Sequence, residues 1–95
     1  MTEFSVTSER IEKYLGLTAK ALEKVSIIGE PGSDSHTKAE DILGMVNAYY
    51  SDSQYFLSEG RGDDAFAAIN YAHGWIDCGV RLGSVSYTHL TLPTK

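Results

Sequence analysis

Cysteine is nearly missing from this chain of 95 residues, where Cys78 stands alone. A single thiol excludes an intramolecular disulfide and any zinc site built on several cysteines. There are only two prolines, Pro31 and Pro93, so no proline interrupts a helix between them. Positive charge is scarce as well: eight Lys and Arg face thirteen Asp and Glu, for a formal net charge of −5. A duplex binder needs a basic patch to neutralise phosphates, and the nearest grouping here is Lys13, Lys20 and Lys24. That weighs against a nucleic-acid partner. No apolar run reaches the ~20 residues of a membrane helix. The opening Met1-Thr2-Glu3-Phe4 begins no apolar stretch of the signal-peptide kind. Together these absences point to a cytoplasmic protein with no membrane segment.

What the chain has is helical periodicity. Ile11, Tyr14, Leu15, Thr18, Ala21, Leu22 and Val25 recur at spacings of three and four, which predicts a helix over residues 8–27. Thr7 suits its N-cap, and Glu9 lies near the positive end of its dipole. A breaker run over residues 29–35, Gly-Glu-Pro-Gly-Ser-Asp-Ser, reads as a loop. Thr37 and Glu40 fit a capping box, in which hydroxyl and carboxylate satisfy free backbone N–H groups reciprocally. They predict a second helix over residues 37–58, with Ala39, Ile42, Leu43, Val46, Tyr49, Tyr50, Phe56 and Leu57 at helical spacing. Gly60 occupies the left-handed position after it, and Asp63 is positioned to cap a third helix over residues 64–82. A turn this short makes the second and third helices antiparallel neighbours.

The third helix turns Ala65, Phe66, Ile69, Ala72, Ile76 and Val80 inward. It also holds Gly74 and Gly79, each about 1 kcal/mol less favourable than alanine inside a helix. Their presence implies close approach of a neighbour. Gly83 closes the helix. Residues 84–95 have no helical period. Val85, Tyr87 and His89 alternate as in a strand, yet no partner strand is visible. The stretch reads as an irregular tail foreign to the natural gene, which leaves residues 1–83 as one domain. The fold class expected is all-α, an antiparallel three-helix bundle with a non-native-looking C-terminal tail.

The second and third helices carry a long pattern. Tyr49-Tyr50-x-Asp52 leads to Phe56-Leu57 and the glycine of the turn, Gly60. Tyr71-Ala72-His73-Gly74-Trp75-x-Asp77-x-Gly79-x-Arg81-x-Gly83 follows. With the Tyr14-Leu15 and Ala21-Leu22 pairs, this resembles the archaeal family catalogued as domain of unknown function 357. The resemblance spans residues 8–83. It implies a compact three-helix bundle with no established activity, so it sharpens the fold and leaves the function open.

Three groups of residues could carry chemistry. His73, Asp77 and Arg81 follow one another at spacings of four and therefore share a helix face. Such a set can orient an imidazole and grip an anion. Catalysis would need a further group from the adjacent helix, for which Asp52 and Tyr50 are the candidates. The competing reading is a polar ladder that satisfies itself and fixes the bundle register. Two visible ligands fall short of the four of structural zinc, and no cofactor is implied. Tyr49, Tyr55, Tyr71 and Trp75 form the second group, since tyrosine and tryptophan join large apolar area to a polar tip and suit interfaces. The third, Arg61-Gly62-Asp63, spells an adhesion tripeptide but sits in a helix–helix turn, where it reads as a hinge and a cap.

Two functions follow. The first is a non-enzymatic protein-interaction module or homo-oligomer, with an exposed apolar patch and no deep pocket. The alternative is a small ligand-binding or catalytic domain, with Tyr50, Asp52, His73, Asp77 and Arg81 converging on a cleft. A bundle this small has little volume for both a core and a pocket, which favours the first.

Overall fold

The computed structural model describes residues 6–87. Three helices, α1 Ser8–Lys24, α2 Asp34–Ser58 and α3 Gly62–Arg81, form an all-α bundle. Two short strands, β1 Val25–Ile27 and β2 Val85–Tyr87, form a two-stranded antiparallel ribbon beside it.

The ribbon corrects two expectations. The first helix stops at Lys24, and residues 25–27, expected as its last turn, are extended. Val25 and Ile27 are β-branched and prefer a pleated backbone wherever a partner strand exists. That partner is β2, in the register Val25 with Tyr87, Ser26 with Ser86, and Ile27 with Val85. The segment expected to pair with nothing therefore pairs with the end of the first helical run. Residues 88–95, the rest of the expected tail, lie outside the described residues.

Helix caps follow the chemistry of the free backbone groups. Thr7 caps α1 as expected, its hydroxyl accepting from the Arg10 N–H at 3.2 Å. α2 starts three residues before the expected Thr37, because Ser33 accepts from the His36 N–H at 3.1 Å and nucleates the helix first. Thr37 then lies in the first turn, its hydroxyl donating to the Ser33 carbonyl at 3.2 Å. α3 also starts early. Arg61 occupies the N-cap without a side-chain hydrogen bond to the helix backbone, and Asp63, expected as the cap, lies with Asp64 in the first turn near the positive dipole end.

α2 and α3 end on the same device. Gly60 has φ +76 and Gly83 φ +74, left-handed values that side chains with a Cβ avoid. The Gly60 and Arg61 N–H groups donate to the Leu57 and Phe56 carbonyls at 3.1 and 2.8 Å. Gly83 and Ser84 repeat the pattern with Val80 and Gly79, at 3.0 and 2.9 Å. Both are Schellman motifs, which satisfy otherwise free carbonyls while reversing the chain. The first turns α2 into α3, and the second aims the chain into β2.

The core is the set of stripes seen in the sequence. Ala21, Val46, Ile69, Ala72 and Ile76 are fully buried together, with Tyr14, Leu15, Leu22, Tyr50, Phe66 and Trp75 among the side chains packed around them. Burial of each of the Val and Ile side chains contributes about 1.5–3 kcal/mol. Ser53 is buried among them and donates to the Ala65 carbonyl at 2.7 Å, tying α2 to α3. Tyr14 meets Phe66, and Thr18 meets His73. Contacts that advance together along both chains mean that α1 runs parallel to α3 and antiparallel to α2. Of Gly74 and Gly79 inside α3, Gly79 admits a neighbour: a Cβ there would lie 3.1 Å from Val85 and 3.3 Å from Ile42. Gly74 faces open space. No helix among the described residues is long and apolar enough to cross a membrane.

Candidate functional site

The His73–Asp77–Arg81 stripe divides between two environments. His73 is half-buried and turns toward α1, where its Nε2 lies 2.9 Å from the hydroxyl of the fully buried Thr18. The Tyr14 ring meets the imidazole edge-on, with centroids 5.6 Å apart. Burial holds the His73 pKa below its ordinary 6.5, because the charged form loses hydration there. A hydrogen bond to the Tyr14 backbone opposes that shift in part. Asp77 and Arg81 instead form a solvent-exposed pair, with Oδ2 accepting from Nε at 3.2 Å.

Helix geometry explains the division. Phe66, His73 and Val80 lie seven residues apart and share the flank of α3 that meets α1. Asp77 lies one step further round, toward water. The two groups suggested from α2 do not join them. Tyr50 packs against the core, and Asp52 is exposed. Among the described residues no hydrogen bond or ion pair links either to His73, Asp77 or Arg81. The described residues also gather no three His, Cys, Asp or Glu side chains around a common point.

Thr18 joins this cluster without belonging to any of the three candidate groups in the sequence. Its sequence signal was present: a hydroxyl in an otherwise apolar stripe has to find a buried hydrogen-bond partner.

The aromatic residues come together on the other flank of the α2–α3 hairpin. On α2, Asp41, Met45, Tyr49, Asp52 and Phe56 repeat at spacings of four, four, three and four. On α3 and its C-cap, Asp64, Ala68, Tyr71, Trp75, Cys78 and Leu82 follow at spacings of four, three, four, three and four. The antiparallel hairpin sets these two stripes side by side, joined where the Tyr49 and Tyr71 rings stack at 5.3 Å with 25° between planes. Tyr71 is 62% exposed and Leu82 71%, while Tyr49 and Trp75 are half-buried against the core. Tyr55 is 58% exposed but lies one residue further round α2, with its ring against Phe56. Phe56 is covered by the Arg61 guanidinium at 4.4 Å, and Arg61 is held in place by Asp64 at 2.9 Å.

At the turn end of the bundle, Val6, Ser8, Ile11, Leu57, Gly60, Gly62 and Asp63 line a shallow recess open to solvent. It offers one carboxylate and one hydroxyl, and it lies at the end of the bundle rather than at the polar stripe.

Comparison with known proteins places this architecture. The family model described as protein of unknown function (DUF357) matches residues 13–85. The match runs through Val85, so it takes in the first residue of β2. The crystal structure of protein AF1782 from Archaeoglobus fulgidus, also assigned to DUF357, is similar with a TM-score of 0.68 and 25% sequence identity. The likeness covers 84% of this chain and 91% of that one. No curated protein matches the chain.

Proposed function

We propose that this chain, which belongs to the DUF357 family of proteins of unknown function, is a non-enzymatic interaction module whose contact surface is the α2–α3 flank turned away from α1. The observation that carries this reading is the Tyr49–Tyr71 stack with its outer ring 62% exposed. An exposed aromatic ring contributes little to a core. It provides large, rigid contact area with a polar tip, the chemistry enriched where proteins meet. Leu82, 71% exposed on the same stripe, extends the apolar surface. The alternative, a ligand or catalytic site on the polar stripe, has its groups already paired among the described residues: Thr18 occupies the imidazole, and the carboxylate and guanidinium occupy each other.

The test uses an uncharged amphipathic helical peptide, with leucines on one face and glutamines on the other. The full chain is titrated while Trp75 fluorescence and backbone amide shifts are followed. Saturable binding with shifts centred on Tyr49, Tyr71 and Trp75, lost in Tyr71→Arg, is the expected result. Shifts that gather around His73 and Arg81, or no saturable binding, would overturn the proposal.

A further inference from the structure

The exposed flank also carries an excess of negative charge. Between residues 34 and 81 the chain has eight acidic and three basic side chains, a net of −5 that equals the formal charge of the whole molecule. α1, on the opposite flank, holds four basic and three acidic residues, so the acidity belongs to the hairpin. On the exposed flank itself, Asp41 and Asp52 bracket Met45 and Tyr49 on α2. Both are exposed, and neither forms an ion pair among the described residues. Asp64 is already matched by Arg61, and Lys38, three residues before Asp41, is the cation at the far end of the stripe.

The shape of the flank selects the kind of partner. α1 fills one groove of the α2–α3 hairpin, packing Tyr14, Leu15 and Leu22 around its core. On the other side the two stripes run side by side along helices that are already antiparallel, joined at the Tyr49–Tyr71 stack. A helix laid there would complete a four-helix bundle, with its apolar face on Tyr49, Tyr71 and Trp75. Its flanking residues would meet Asp41 and Asp52. Unpaired carboxylates at the edge of an apolar contact favour cations and repel acids, which sets specificity more than strength. From these observations, and resting on the interaction surface proposed above, we infer that the partner is a cationic amphipathic helix of another protein, one with Lys or Arg flanking its apolar face.

The experiment compares three helical peptides of equal length with the same leucine face. Their polar faces are built from Lys, Gln or Glu, and each is titrated into the full chain at low and high salt. The Lys peptide should bind the flank more tightly than the Gln peptide, by roughly two- to five-fold for each rim carboxylate engaged, and the Glu peptide more weakly. The advantage should shrink as salt screens it and disappear in the double variant Asp41→Asn/Asp52→Asn. That variant replaces exposed side chains and keeps the fold.

If the Lys and Gln peptides bind the flank equally well, or the Lys advantage survives the double variant, this inference fails while the interaction surface stands. If no peptide shifts Tyr49, Tyr71 or Trp75, the surface itself fails. Flank shifts that appear when residues 88–95 are removed would also overturn the inference, because they would make the chain's own end the occupant.

Discussion

Replacing Gly79 by alanine sets two effects of opposite sign against each other. Inside a helix alanine is more favourable than glycine by about 1 kcal/mol. The new Cβ, however, would lie 3.1 Å from the Val85 Cγ2 and 3.3 Å from the Ile42 Cγ2, closer than methyl groups normally pack. Forcing a methyl into filled space costs about 1–3 kcal/mol. Val85 is 1% exposed, β-branched and tied into the ribbon opposite Ile27, so it has little freedom to withdraw. Crowding therefore wins, and Gly79→Ala is expected to lose up to about 2 kcal/mol. Val85→Ala alone removes two buried methyl groups and leaves a cavity, at about 1.5–3 kcal/mol. In the double variant the methyl added at position 79 enters space vacated at position 85, and only the Ile42 contact remains tight. The losses should then fall short of their sum by at least ~1 kcal/mol, a favourable coupling typical of residues in contact. Urea unfolding of the parent, both single variants and the double variant measures the cycle, with an unchanged slope confirming that only stability has moved. Additivity within about 0.5 kcal/mol would refute the argument and show that β2 does not rest on α3 at Gly79.

Two other outcomes follow from the polar stripe. The His73 pKa is depressed in the fold relative to its ordinary 6.5, so its contribution to stability is fully present above that pH and is lost as pH falls through the folded value. Melting temperature followed from roughly pH 8 to 5, above the range where most carboxylates titrate, should fall more steeply for the parent than for His73→Gln. Parallel curves would dissociate the histidine from the effect. Asp77→Ala removes one side of a solvent-exposed i,i+4 pair and should cost no more than about 0.5 kcal/mol. A clear drop in melting temperature would restore the self-satisfying ladder.

The three helices were legible because each hides a full stripe, and six or more apolar residues at helical spacing leave little ambiguity. Thr7, Gly60 and Gly83 were legible for a different reason: caps and left-handed turns depend on a single side chain, or on its absence. The ribbon was not. Val25-Ser26-Ile27 is too short to set a period of two against the helical stripe it follows, and its partner lies sixty residues further on, where no local pattern reaches. The start of α2 was misplaced because Thr37 and Glu40 make a valid capping pair, while Ser33 offers its hydroxyl one turn earlier. For the stripe on α3, spacing established that His73, Asp77 and Arg81 lie near one another along the helix. Which neighbour each side chain meets depends on where α1 docks, and that is a property of tertiary packing. Tyr49 and Tyr71 show the same limit: both were evident as interface chemistry, but their stacking follows from the level at which the hairpin pairs.

The ribbon also bears on the order in which the molecule assembles. The turn between α2 and α3 closes a loop of a few residues, whereas pairing Ile27 with Val85 closes one spanning both helices. With closure entropy growing as the logarithm of length, the longer loop costs on the order of 2 kcal/mol more if the chain between is still unstructured. Once α2 and α3 have folded back on each other, most of that distance has already been crossed. The hairpin therefore lowers the entropic barrier for the ribbon, and the ribbon does nothing comparable for the hairpin. On this account β1 and β2 act as a clasp that closes after the nucleus has formed: they hold the finished molecule shut and set how slowly it opens, while the rate at which it folds is left to the helices.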